Sequence, residues 1–270
     1  MIGAVFTQTL RTKWRQILYW GGGMGLMGLY AAAVVRDSEM LEQYSKIVES
    51  MPSFLLDAFG GGDAVFMATP EGFLSVEFFG WALLLFSVYA IIAGLNVVAN
   101  EEDDGIMDVL LSWPIARWQI VVEKLLAQTV IIIGMLTLSF VGLLIGVNTS
   151  PVFDEMSVLT LVEGMVNMLP GTLLVLVLTT MISVIVRRKS LATGLAAAYV
   201  AASFFMDSIA RAAGVTLLKG INLFSYFNYY EHVEVIQHGL QIDNLVIVLV
   251  ASVVLMVVAL IAFQQRDIGL

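Results

Sequence analysis

Six apolar runs, each close to the thickness of a bilayer, constrain this chain more than any other feature. They lie at residues 17–35, 78–98, 125–147, within 161–186, at 190–210 and at 245–263. A helix needs about 20 mostly apolar residues to cross the hydrocarbon core. Only helices and closed barrels satisfy their backbone polar groups there. The runs are continuous and do not alternate, which argues against a transmembrane β-barrel. Composition agrees: 59% of residues are hydrophobic and 13% charged, where a soluble domain carries about a quarter charged. The expectation is an all-α polytopic membrane protein, a single transmembrane domain over residues 1–270 with six crossings.

Before the first crossing, Ile2, Val5, Phe6, Leu10 and Trp14 recur at helical spacing, and Arg11, Lys13 and Arg15 gather behind them. Residues 1–15 therefore read as an interfacial amphipathic helix with a basic anchor. A cleaved signal peptide is disfavoured, because the apolar run is long for one and the basic region is already amphipathic. The first crossing is rich in glycine, and Gly21 with Gly25, extended by Gly28, makes a smooth face suited to close helix contact. Ser38 is the expected cap of a helix running towards Ser50, and glycines 60–62 are expected to form a joint. Arg187, Arg188 and Lys189 end the fourth crossing and the fifth begins at once, so those two are expected to be antiparallel neighbours.

Orientation follows from lysine and arginine, which concentrate on the cytoplasmic side. With the N-terminus inside, Arg11, Lys13, Arg15, Arg117, Lys124, Arg187, Arg188, Lys189 and Arg266 are cytoplasmic. Arg36, Lys46, Arg211 and Lys219 are outside. Nine against four places both termini in the cytoplasm and makes residues 36–77 and 211–244 extracytoplasmic. In the second of these, short apolar pieces and the aromatics Phe224, Tyr226, Phe227, Tyr229 and Tyr230 read as re-entrant or interfacial.

Chemical motifs are sparse. No GxxxxGK[ST] phosphate loop is present, so the chain itself carries no ATPase signature. The net charge of −9 comes with no basic patch, which argues against nucleic acid as a partner. With no cysteine, disulfides and thiol chemistry are excluded. His232 and His238 lie near Glu231, Glu234 and Asp243, but six residues is not a helical ligand spacing, and no metal site is expected. Glu163, Asn167 and Asp207 sit near the ends of crossings, and water at the outer interface is the simpler environment for Glu163 and Asp207.

One polar interval, residues 99–118, carries an ordered pattern. Glu101, Glu102, Asp103 and Asp104 lead into Gly105, and a short amphipathic helix follows with Ile106, Met107, Leu110 and Leu111 apolar. Acids suit the first turn of a helix. Pro114 cannot continue that helix but suits the start of the next. Arg117 and Lys124 then lead into the third crossing, where they are expected to hold the segment at the anionic leaflet, each worth about 1 kcal/mol. The pattern describes a small helix outside the bilayer, offering apolar side chains to something not in this chain.

The motif Glu101-Glu102-x-x-Gly105, with Leu110-Leu111, Pro114, Arg117 and Lys124 between crossings two and three, resembles the permease subunits of type 2 ATP-binding-cassette (ABC) exporters. The layout of amphipathic helix, six spans and partly apolar outer segment is similar over essentially the whole chain. The resemblance implies that residues 101–124 form a coupling segment docking on a separate nucleotide-binding ABC ATPase, with Arg187, Arg188 and Lys189 as a second cytoplasmic contact. It implies ATP and magnesium on that partner and no cofactor on this chain. It further implies a permease homodimer, or a pseudo-symmetric heterodimer, among the lipids of a prokaryotic plasma (inner) membrane. Together with small-residue content, it points to spans 1, 2 and 5 as the translocation path or dimer face, with Gly21, Gly25, Gly28 and Phe205 as candidates. The longer outer segment 36–77 exceeds what the smallest members carry. The alternatives are a non-transporting membrane anchor or assembly factor, or an intramembrane enzyme using Glu101 and Glu102.

Overall fold

The computed structural model describes residues 3–35, 37–59, 63–100, 116–186 and 188–265, and all regular structure among them is helical. Six helices are long and apolar enough to cross a membrane. They are span 1 (Ile17–Val34), span 2 (Pro70–Leu95), span 3 (Arg117–Thr149), span 4 (Val158–Ile185), span 5 (Lys189–Ala213) and span 6 (Ile242–Gln265). Shorter helices flank them: α1 (Ala4–Lys13), α2 (Ser38–Ser50), α3 (Ser53–Ala58), α4 (Ala64–Met67), α5 (Thr216–Asn222) and α6 (His232–His238).

Local side-chain chemistry sets most of the helix starts. The Asp37 carboxylate accepts from the Met40 N–H and caps α2, one residue ahead of the expected Ser38. A carboxylate at that position answers the helix dipole as well as the free N–H groups. Asp63 caps α4 by accepting from the N–H groups of Val65 and Phe66. Thr69 accepts from the Gly72 N–H, and Pro70 occupies the first turn, where its missing N–H costs nothing. This cap starts span 2 well upstream of the apolar run at 78–98, so the helix carries Glu71 and Glu77 in its opening turns. Span 3 likewise begins at Arg117 instead of 125, which puts both Arg117 and Lys124 on its first turns. Ser157 caps span 4 through the Leu159 N–H.

Spans 2 and 4 are the most buried of the six, and spans 5 and 6 the least. The core runs through Phe78, Phe79, Leu83, Phe86 and Tyr89 of span 2, and Ile131, Ile132 and Met135 of span 3. Close approach is built from small residues. Any Cβ on Gly142 of span 3 would overlap the backbone of Gly25 on span 1, and one on Gly146 would come within 2.8 Å of Leu29 Cα. Gly94 of span 2 meets Thr179 and the Leu176 carbonyl of span 4 in the same way, at 2.7 Å. Gly142 on Gly25 is backbone packed on backbone, whereas Gly94 makes room for a threonine side chain as well as a carbonyl.

The flanking helices divide between the two ends of the bundle. α1 lies at one end, beside the start of span 3. α2 to α6 cap the other end: α3 packs on span 5, and α6 on the opening turns of span 2. Tyr44 of α2 meets Phe73 of span 2 edge-on, with ring centroids 4.9 Å apart. Burial, with the Glu77 carboxylate second, pushes the Tyr44 hydroxyl up to about 12.

Candidate functional site

Two polar constellations stand out, one at each end. At the α1 end, α1 has no side-chain cap of its own, because its N-cap position is Gly3. The cap comes from span 3. Glu123 Oε1 accepts from the Gly3 N–H at 2.8 Å, and Oε2 accepts from Val5 and Phe6 at 3.0 and 3.1 Å. The carboxylate is only 8% exposed. It satisfies three of the four N–H groups that a helix start leaves open, and its charge opposes the dipole. The next residue, Lys124, is 3% exposed and donates from Nζ to the Val97 carbonyl just past span 2, at 3.1 Å.

Residues 123 and 124 thus tie the first turns of span 3 to α1 on one side and to the end of span 2 on the other. A third link lies deeper. The Tyr89 hydroxyl of span 2 sits 2.8 Å from the Gln16 Oε1 and 2.9 Å from the Gln128 Oε1. A hydroxyl has one proton, so the two amide oxygens share it as acceptors. Span 3's Ser139 adds a hydroxyl bond to the Gly21 carbonyl. The sequence gives a signal for part of this, since Gln16, Tyr89 and Gln128 are polar groups in or beside apolar runs. Glu123 was hidden because its partners lie about 120 residues away in the chain.

At the capped end, a cavity of about 260 Å³ opens between α3, span 2, span 5 and the segment before α6. Trp81, Phe204, Phe205, Phe227 and Tyr230 supply aromatic walls, and Asp207, Arg211, Glu231 and His232 supply polar ones. Asp207 is paired: its Oδ2 receives Arg211 Nε at 3.0 Å and its Oδ1 receives Asn222 Nδ2 at 2.9 Å. Burial, reinforced by the Arg211 charge, pushes the His232 imidazole down to about 3, so it is neutral at physiological pH. Its Nδ1 faces the Ser75 hydroxyl at 3.4 Å. Ser75 belongs to a π-helical turn, Ser75–Phe79, whose last carbonyl accepts from the Tyr230 hydroxyl at 2.9 Å. The Tyr230 backbone carbonyl accepts from the Asn167 amide.

The sequence candidates fall into these places unevenly. Glu101, Glu102, Asp103, Asp104, Gly105, Ile106, Met107, Leu110, Leu111, Pro114 and Arg187 lie outside the described residues. Arg117 is exposed at the start of span 3, and Arg188 and Lys189 are exposed at the start of span 5. Lys124 does not reach for a leaflet, because it is buried against span 2. Gly21, Gly25 and Gly28 face span 3 of the same chain: a Cβ on each would come within 3.0–3.1 Å of Met135, Leu138 or Leu143. That packing occupies the glycine face within the chain. Phe205 is 62% exposed on span 5 and lines the cavity. Asp207, expected in water, is paired at the cavity wall, and Asn167 fastens the outer segment. The two histidines part company. His232 turns inward, while His238 is exposed beside Glu234 at 3.0 Å.

A helical bundle with six helices long and apolar enough to cross a membrane, and a further helix pinned to span 3, belongs to the class of multi-pass membrane proteins. The sequence matches the ABC-2 family transporter protein family over residues 13–268, and the chain belongs to that family. Comparison with curated proteins gives no match.

Proposed function

We propose that this chain is the membrane half of an ATP-driven exporter in a prokaryotic plasma membrane, working as a pair with two copies of a separate nucleotide-binding subunit. ATP and magnesium act on that partner. Residues 101–115 dock on it in the cytoplasm, with Leu110 and Leu111 as the apolar contact and Arg187, Arg188 and Lys189 as a second one. The observation that supports this reading is the tie at residues 123 and 124. A push arriving through 101–115 reaches span 3 directly, and within three turns of that helix Glu123 and Lys124 pass it to α1 and to span 2. Docking drives transport only if its free energy differs between the inward- and outward-facing states.

Co-expression with a nucleotide-binding subunit tests this. The exporter reading expects a stoichiometric complex whose ATP hydrolysis drives substrate out of cells and into inverted vesicles. Leu110→Glu with Leu111→Glu is expected to abolish the complex while leaving the permease folded. A partner held without ATP hydrolysis would make the chain an anchor. Activity of the purified chain alone, without nucleotide, would sink the reading.

A further inference from the structure

The cavity at the capped end combines features that the exporter reading does not require. Its charges do not cancel. Asp207 and Arg211 neutralise each other at 3.0 Å, His232 is neutral, and the Glu231 carboxylate remains. Among the described residues Glu231 has no cationic partner, and its one side-chain hydrogen bond comes from Asn244 Nδ2 at 3.2 Å. Its backbone is also unusual. Glu231 is the one non-glycine residue at positive φ among the described residues, with φ 31° and ψ 52°. Side chains are disfavoured in the left-handed region, and such outliers gather at ligand clamps.

The same cavity is lined by aromatic rings. Trp81 is 6.0 Å from Phe204, and Phe204 is 5.4 Å from Phe227, ring centroid to ring centroid. Aromatic faces attract cations, tryptophan most strongly. An anion entering here would meet a surplus carboxylate, and a wholly apolar guest would leave it without a partner.

We propose that this cavity binds a small organic monocation with an aromatic body, its charge on Glu231 and its ring against Trp81 and Phe204. The binding site stands on the cavity alone, but its role as the last station before release rests on the exporter reading.

The test uses the full-length chain in zwitterionic lipid nanodiscs, without ATPase or nucleotide, titrated calorimetrically. The probes are phenyltrimethylammonium, its neutral isostere tert-butylbenzene, and the anion benzenesulfonate. Saturable one-to-one binding of the cation is expected, at least about tenfold tighter than either other probe, as cation–π and charge-pair energies together imply. Glu231→Gln should weaken the cation about tenfold or more, and Trp81→Leu several-fold. Phe224→Leu, on an exposed ring outside the cavity, should leave affinity unchanged and so controls for partition into lipid. Benzenesulfonate binding as tightly as the cation would overturn the proposal. So would the absence of saturable cation binding to the folded protein, or binding that ignores both Glu231→Gln and Trp81→Leu. None of these outcomes touches complex formation through Leu110 and Leu111, so the two readings fail separately.

Discussion

Glu123 and Glu231 sit at opposite ends of the bundle and are held in opposite ways. Glu123 receives three backbone N–H groups and is almost closed off from solvent. Glu231 receives a single side-chain amide, from a half-buried position on a cavity wall. A carboxylate whose lone pairs are filled by the fold acts as a mechanical part, and removing it breaks the connection it makes. One left under-filled on a cavity wall that also carries aromatic rings has lone pairs to offer a guest. The same residue type thus serves as a fastener at one end and is proposed as a receptor at the other, and the count of donors separates the two.

The largest effect should come from the fastener. Glu123→Ala leaves three N–H groups of α1 without their acceptor and is expected to cost about 3 kcal/mol or more, since hydrogen bonds to a charged group are each worth about 1.5–3 kcal/mol. Thermal unfolding in detergent checks this, and hydrogen exchange at Val5 and Phe6 localises it. Glu123→Gln, which keeps the shape but loses the charge, should fall between. Near-native stability of Glu123→Ala would mean that the tie is decorative. Next in size is Gly142→Leu, which drives a side chain into Gly25. Overpacking of this kind costs about 1–3 kcal/mol, read as a lower midpoint with less compact packing of spans 1 and 3.

A third test moves to the capped end and uses pH. His232 is neutral in the fold down to about pH 3, whereas an unfolded histidine takes up its proton near its ordinary value of 6.5. Between these values the unfolded state binds more protons. Stability is therefore complete above about pH 6.5 and declines as the pH falls towards 3, by at most about 1.4 kcal/mol per unit from this residue. His232→Asn should remove that contribution to the slope; an unchanged slope would place the ring in water. The smallest effect is expected for Glu231→Gln, whose stability should change by less than about 1 kcal/mol, because only one neutral-donor hydrogen bond is weakened. If Glu231→Gln destabilises as much as Glu123→Ala, the contrast between the two carboxylates collapses.

Much of this architecture was legible in the chain. Continuous apolar runs disclose spanning helices because lipid removes every alternative for the backbone, and all six were found. Their ends were less legible. The Thr69–Pro70 cap starts span 2 before the apolar run does, and span 3 extends past its apolar run to Arg117, since a helix need not stop where the lipid stops. The polar sites divide along a similar line. Tyr89 and Gln128 could be suspected for being polar within apolar runs. Glu123 could not, since a glutamate between Val122 and Lys124 looks like any interfacial charge until α1 is laid against it. The cavity was hidden for the same reason: Trp81, Asp207 and Glu231 come from three separate stretches that only the folded bundle brings together. Lys124 reads locally as a leaflet anchor, because the acceptors that receive a buried lysine, the Val97 carbonyl among them, are announced by no local pattern.

Gly25 against Gly142 carries one more consequence. At that crossing main chain is pressed on main chain, and no side chain stands there to swing aside or to act as a bearing. Sliding one helix on the other would force backbone into backbone, so on the exporter reading the two are expected to move together. A passage across the bilayer would then part along other seams, and spans 5 and 6 are the two whose surfaces the rest of the chain covers least.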